Sequence, residues 1–323
     1  MSPSDRAGGR FTLLLFLLAT LGFGTGFVGI KLGLTELPPL LFAALRYDLG
    51  ALLLLAVVAW RGGYWRPRTR NDLTALVVAG LFLSGLNAAL LFLGQQYVTT
   101  GTAAVLFSVV PVLAPLFALA LFPGSRIDPV GMAGILLGLA GVALIAGLGS
   151  LSAAGDRVLF GVALVGGAAA TVALGSVLLQ RVERSLPALA MTAWALVLAA
   201  GLLHALSLVF GEPQAVAPTA RTAVALLWVA LPGTALAFPA YYALIGRAGP
   251  VRANLISYAV PVVATVAGAL VLGEAVPPRT ALGFVVILAG FALVERRNLR
   301  RELRRARDRR LPPEESAEPA ARP

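Results

Sequence analysis

Apolar runs of about twenty residues, almost free of ionisable side chains, recur along the whole chain, with 11–30, 40–60 and 98–122 the clearest. At 1.5 Å of rise per residue, such a run spans a hydrocarbon core about 30 Å thick as a helix. No water is available in that core, so the backbone must satisfy its own hydrogen bonds, and a helix does this within one segment. Only 13% of the residues are charged against 59% hydrophobic, and the mean hydropathy is +0.87. A soluble domain carries about twice that share of charge. The expected class is an all-α integral membrane protein.

Glycine, proline and charged residues divide the chain into ten expected spans: 11–31, 39–60, 73–96, 99–122, 129–149, 157–180, 187–210, 222–246, 250–272 and 278–295. Arg6 and Arg10 precede the first run, which is too long for a signal peptide and lacks a small-x-small cleavage site, so it reads as a spanning helix. With the N-terminus inside, 21 of the 26 lysines and arginines fall on the cytoplasmic side, four fall outside and Arg46 lies within a span. That bias predicts cytoplasmic N- and C-termini and a multi-pass protein of the plasma membrane. Nine arginines crowd into 296–310, a basic tail suited to anionic headgroups. The net charge of +11 is therefore spread as membrane topology requires, not as a nucleic-acid-binding face. The chain has no cysteine, which excludes disulfides and thiolate metal sites, and no cofactor is expected.

The chain also repeats itself at a spacing of about 150 residues. The segment 98–144 (VTTGTAAVLFSVVPVLAPLF…) matches 248–293 (AGPVRANLISYAVPVVATVA…), with Pro111 on Pro261, Gly134 on Gly283 and Gly141 on Gly290. Pro39 before the second span falls on Pro187 before the seventh. Five spans per repeat force the second half to insert upside down, giving two inverted five-helix repeats around a central site. The expected divisions are a cytoplasmic N-terminus 1–10, repeats 11–149 and 157–295, and a partly disordered tail 296–323. Pro111 and Pro261, near the middle of equivalent spans, are candidate helix breaks.

In order, LGFGTGFVGIK, LPPLLFAALRY, the proline-centred fourth and ninth spans, LGE at 272–274 and GFVVILAGFAL make a pattern. Together they resemble the drug/metabolite transporter superfamily, specifically tandem EamA-type domains. The resemblance covers 11–294 and implies ten helices in two inverted halves that move small organic solutes, often as efflux. Repeats of this kind commonly carry Gly-Glu at the end of the fourth span. Here that place reads Gly124-Ser125, and only the second copy keeps its glutamate, Glu274.

Ionisable groups inside a membrane are functional suspects. Arg46, in the second span, either bonds backbone carbonyls near a helix break or holds a substrate carboxylate. Asp48, two residues on and on a different helix face, is a candidate proton-coupling site. Lys31 and Glu274, ending the first and ninth spans on one side, form a candidate gate pair, with a plain surface pair as the alternative. His204, the single histidine, reads as a packed or helix-bonded imidazole. Polar and aromatic groups that can line a solute cavity are Asn87, Gln95, Gln96, Ser108, Trp194, Tyr241, Tyr242, Asn254 and Tyr258. One histidine rules out H-E-x-x-H, and no G-x-S-x-G elbow or Walker lysine occurs, so neither an intramembrane hydrolase nor direct ATP coupling is expected. The expected function is a secondary transporter, with export favoured, for amino acids, metabolites or drugs. A lipid or lipid-linked-sugar flippase of the same fold is the alternative.

Overall fold

The computed structural model describes residues 3–122, 128–146, 155–183, 185–215, 219–248, 256–294 and 296. Each apolar run forms one helix: α1 (Pro3–Gly33), α2 (Pro39–Arg61), α3 (Arg70–Gln95), α4 (Thr100–Leu121) and α5 (Pro129–Ala146) in the first half. The second half holds α6 (Asp156–Leu179), α7 (Ala188–Val209), α8 (Ala220–Ala230, running on through Leu231–Leu236 into Ala237–Ala248), α9 (Ile256–Leu272) and α10 (Pro278–Val294). Among the described residues, seven helices are long and apolar enough to cross a membrane, and three shorter apolar ones, Pro129–Ile145, Ile256–Leu272 and Pro278–Val294, complete the ten. The basic tail beyond Arg296, Gly124-Ser125 and Asn254 lie outside the described residues.

The two halves pack as the inverted repeat requires. α1 lies on α8 and α9, while α6 lies on α3 and α4, so exchanging the halves reproduces the arrangement. α2 pairs with α7, α5 with α10 and α4 with α9. The result is a ring in the order α3, α6, α4, α9, α1, α8, with α2 and α7 closing the gap between α3 and α8. The repeated glycines sit on the symmetry axis. A Cβ on Gly134 would meet the Gly290 carbonyl at 2.6 Å, and one on Gly141 would meet the Gly283 carbonyl at 2.8 Å. Because Gly134 is equivalent to Gly283 and Gly141 to Gly290, these are one contact made twice. With lipid outside, such close approach of small residues supplies the dispersion contact that holds helices together.

Symmetry also governs how helix ends are satisfied. α2 and α7 both begin at a proline and have no capping side chain of their own, which leaves N–H groups without partners. A carboxylate from the other half binds at or just ahead of the start of each. Glu212, after α7, accepts from the Leu40 and Leu41 amides at 3.0 and 2.8 Å. Asp72, in the first turn of α3, accepts from the Ser185 and Leu186 amides at 3.1 and 3.0 Å, just ahead of α7. The α2–α7 pair is thus pinned at opposite ends, at the first amides of α2 and at two amides just ahead of Pro187.

Two further features separate the halves or join them. α3 and α8, the third helix of each half, both widen into a π-type turn, at Ala79–Leu86 and Leu231–Leu236. Pro232 lacks an amide hydrogen, and Thr234 donates its hydroxyl to the Val229 carbonyl five residues back at 3.0 Å, which favours the wider turn. α4 is interrupted at Ser108–Val109, between Thr100–Phe107 and Val110–Leu121, just before Pro111. α9 in contrast runs unbroken through Pro261. Ser108 explains the difference, since its hydroxyl takes the Val105 carbonyl at 2.6 Å and competes with the helix. The equivalent residue in α9 is Tyr258, whose long ring packs instead on Phe291.

Candidate functional site

α1 ends on the far side of the bundle, opposite the side where it begins. There Lys31 donates to the carbonyls of Gln95 and Val98 at 2.7 and 2.9 Å. Glu274 accepts from the Thr100 amide at 2.8 Å, at the first turn of α4. A glycine at φ 65°, Gly273, turns the chain after α9 so that Glu274 points back to α4. The two residues make no ion pair with each other among the described residues; they grip opposite ends of the α3–α4 turn. Below the turn the helices are in close contact. A Cβ on Gly101 would sit 2.6 Å from Thr265 Oγ1, and one on Gly268 would sit 3.2 Å from Thr100 Cβ. Gln95, fully buried, donates to the Phe27 carbonyl at 2.6 Å and links α3 to α1. α1, α3, α4 and α9 are therefore clasped together at the far end.

The glycine-rich first span resolves into two packing faces. Gly22, Gly26 and Gly29 turn towards α8 around its wide turn, where a Cβ on Gly22 would lie 2.4 Å from the Pro232 carbonyl oxygen. Gly24 faces Val260 and Val263 of α9.

Arg46 occupies a distinct position. Its guanidinium carbon lies 4.7 Å from the Tyr47 ring centroid and 5.5 Å from that of Phe92 on α3. Its Nε is shielded from solvent and has no hydrogen-bond partner. Asp48 points elsewhere, towards α7, where Oδ2 lies 2.8 Å from His204 Nε2. About two-fifths of each of those side chains remains exposed, the imidazole 37% and the carboxylate 43%, so the pair sits in the outer groove between α2 and α7.

The other expected cavity residues scatter. Asn87 donates to the Leu83 carbonyl at 3.1 Å, where α3 leaves its wide turn. Trp194 stacks on Trp65 at 6.2 Å and donates to the Trp65 carbonyl at 3.0 Å, which places it at the near side beside the α2–α3 loop. Tyr241 meets Phe23 of α1 edge-on at 6.2 Å. Tyr258 packs on Phe291 of α10 at 4.6 Å. Gln96 is exposed and donates to the Leu93 carbonyl at 3.3 Å. The Tyr242 side chain and Asn254 lie outside the described residues. A cleft of about 110 Å³ opens outside the ring beside Thr99, Thr102, Arg279 and Thr280, smaller than the several hundred Å³ an organic solute of drug size needs.

Sequence reasoning passed over the long-range carboxylates. Glu212 and Asp72 act as described above, and Glu36, between α1 and α2, accepts from the Thr222 hydroxyl at 2.6 Å and also from the Thr219 hydroxyl. These bonds keep the Glu36 carboxyl below the usual carboxylate range, Thr219 most and Thr222 next. For Glu212 the available signal was α2 opening on Pro39, whose uncapped amides call for an acceptor from elsewhere. Similarly, the near end holds a contact that spacing alone does not reveal. Arg181, after α6, stacks 4.1 Å over the ring of Phe122, which ends α4.

A ring of six helices related by an inverted repeat, with charged clasps at helix ends, defines an integral membrane protein of the transporter class. The chain belongs to the EamA-like transporter family, which matches residues 10–147 and 159–296. An uncharacterized transporter of Archaeoglobus fulgidus is 30% identical over 288 residues, covering 87% of this chain and 96% of its own. The uncharacterized inner membrane transporter YedA of Escherichia coli is 32% identical, covering 87% and 89%. A probable amino-acid metabolite efflux pump of Salmonella typhimurium is 30% identical, covering 85% and 92%. A solved crystal structure, 24% identical, shares the fold with a TM-score of 0.60 over 88% of this chain and 96% of its own.

Proposed function

We propose that the protein is a secondary transporter that exports small organic solutes, amino acids and related metabolites among them, by alternating access through the helix ring. The far-end clasp carries this reading. Four helices of the ring meet at one turn, held by two hydrogen bonds from Lys31 and one to Glu274, few enough for a rocking motion to break and remake. Arg181 over Phe122 supports a counterpart at the near end, because α6 and α4 are the repeat equivalents of α1 and α9. The charge bias of the loops supports the near side as cytoplasmic, with both termini there. The Salmonella relative, a probable amino-acid metabolite efflux pump, supports the solute class and the outward direction.

Asp48 with His204 is the proposed proton-responsive pair, acting on the α2–α7 unit that seals the ring. The test is uptake and counterflow of an amino-acid and metabolite panel in proteoliposomes, with and without a pH gradient. Saturable flux driven by the gradient, and made independent of it by Asp48→Asn, supports a proton-coupled exporter. Saturable flux indifferent to the gradient returns Asp48 and His204 to helix pairing. Absence of flux from folded protein refutes solute transport and turns attention to lipid substrates.

A further inference from the structure

A cation held inside a membrane protein costs free energy unless something neutralises it. Several other buried or interfacial charges among the described residues have visible partners. Lys31 has two carbonyls, Glu274 and Glu212 have helix N-terminal amides, Asp48 has His204, and Asp128 has Arg296 at 2.6 Å. Arg46 differs. Among the described residues no carboxylate stands within ion-pair distance of it and no carbonyl accepts from it. The structural role open to it from sequence, bonding carbonyls near a helix break, is not the one it plays. Its guanidinium is instead held between the Tyr47 and Phe92 rings. Stacking of this kind fixes the plane of the fork while leaving its edge free to donate.

The direction in which Arg46 points follows from its neighbours on α2. One turn earlier, Phe42 meets Phe92 of α3 edge-on at 5.3 Å. One turn later, a Cβ on Gly50 would touch Thr234 of α8 at 2.8 Å. Residues four apart advance about 40° around a helix, so Arg46 lies midway between the flank on α3 and the flank on α8. α2 fills the gap between those two helices, so that midway direction is the interior of the ring. Leu53 and Val57, on the same stripe as Arg46 towards the near side, are only partly exposed, Val57 38%. Leu52, about 120° away, is 68% exposed on the outer face.

Given the transporter reading above, on which this rests, we infer that Arg46 is the substrate anchor and that the solute carries a carboxylate group. An unneutralised guanidinium turned towards the ring interior lacks a planar, bidentate counter-anion, and a carboxylate supplies one. Arg46 has no counter-charge from the protein there, so a solute that presents a carboxylate gains from entering and its amide does not.

The test uses the purified full-length protein in neutral detergent and matched probe pairs: L-leucine against leucinamide, L-phenylalanine against phenylalaninamide, and 4-methylvalerate against its amide. Thermal unfolding followed by tryptophan fluorescence reads binding, because a ligand of the folded state raises Tm with concentration. The expected result is that the acid of at least one pair stabilises the protein at concentrations about tenfold or more below its amide. Arg46→Gln should remove that preference, while Arg46→Lys should keep the preference but weaken binding, since the charge stays and the fork is lost. If Arg46→Gln fails to fold, Arg46→Lys decides, and unchanged acid binding in it overturns the inference. Amides that stabilise as well as their acids also overturn it. So does saturable flux of neutral solutes with no binding of any acid, a result that leaves the transporter reading standing. Neither binding nor flux for any solute overturns both.

Discussion

The contact between α1 and the wide turn of α8 predicts a sharp contrast among glycines on one helix face. A Cβ at Gly22 would lie 2.4 Å from the Pro232 carbonyl oxygen and 2.9 Å from the Ala237 Cβ, about 1 Å inside ordinary contact, which begins near 3.4 Å. Both obstacles are backbone or rigid atoms, so the helices must part. Overpacking of this kind costs about 1–3 kcal/mol. Gly26, one turn on, has its nearest neighbour at 3.9 Å, the Gly233 Cα, and Gly201 on α7 has nothing within 4 Å. There alanine gains up to about 1 kcal/mol of helix propensity without a clash. Thermal unfolding in detergent, followed by tryptophan fluorescence, should therefore rank Gly22→Ala below Gly26→Ala by about 1–3 kcal/mol, or several degrees in Tm. Gly26→Ala and Gly201→Ala should unfold at or above the wild-type temperature. Equal Tm values for Gly22→Ala and Gly26→Ala would refute the close α1–α8 approach on which the ring depends.

Two further predictions concern the polar contacts between helices. A double-mutant cycle on Asp48→Leu and His204→Leu should give a coupling of about 0.6 kcal/mol, the usual scale for interhelical polar pairs in membranes, and a coupling near zero would show that the two side chains do not meet. At Glu36 the lowered pKa means that its bonds to Thr219 and Thr222 stabilise the fold above the ordinary carboxylate pKa and are lost as pH falls through the lower folded value. Glu36→Gln should accordingly lower Tm at pH 7 and flatten its decline between pH 5 and 3, whereas a decline as steep as wild type would place the acid sensitivity elsewhere.

Much of the architecture is legible before any coordinates. The uncharged runs mark the helices, and the spacing of Pro111 with Pro261 and Gly134 with Gly283 marks the repeat, because hydrocarbon leaves the backbone few alternatives. What cannot be read is what depends on pairing across the fold. Glu212 caps α2 from more than 170 residues away in sequence, and no local pattern distinguishes it from a loop carboxylate. His204 joins Asp48 only because α2 and α7 happen to be symmetry mates. Trp194 has the composition of a cavity residue, yet its indole is taken by the Trp65 loop. Pro261 shows that a proline of the same register need not break a helix when no neighbouring hydroxyl competes for the carbonyls, as Ser108 does before Pro111. Arg46 stands out in sequence as a charge in a span, but only its lack of a partner gives that charge a purpose.

For solute to pass, α4 and α9 must separate at the far end, and a reversible crosslink tests this directly. The chain has no cysteine of its own. A Cβ at Gly101 would lie 3.3 Å from the Thr265 Cβ, close to the separation of about 3.5 Å that a disulfide bridges. In Gly101→Cys/Thr265→Cys protein reconstituted in liposomes, oxidation should abolish counterflow and reduction should restore it, with each single variant insensitive to both treatments. Counterflow that continues undiminished in fully crosslinked protein would contradict alternating access through this ring.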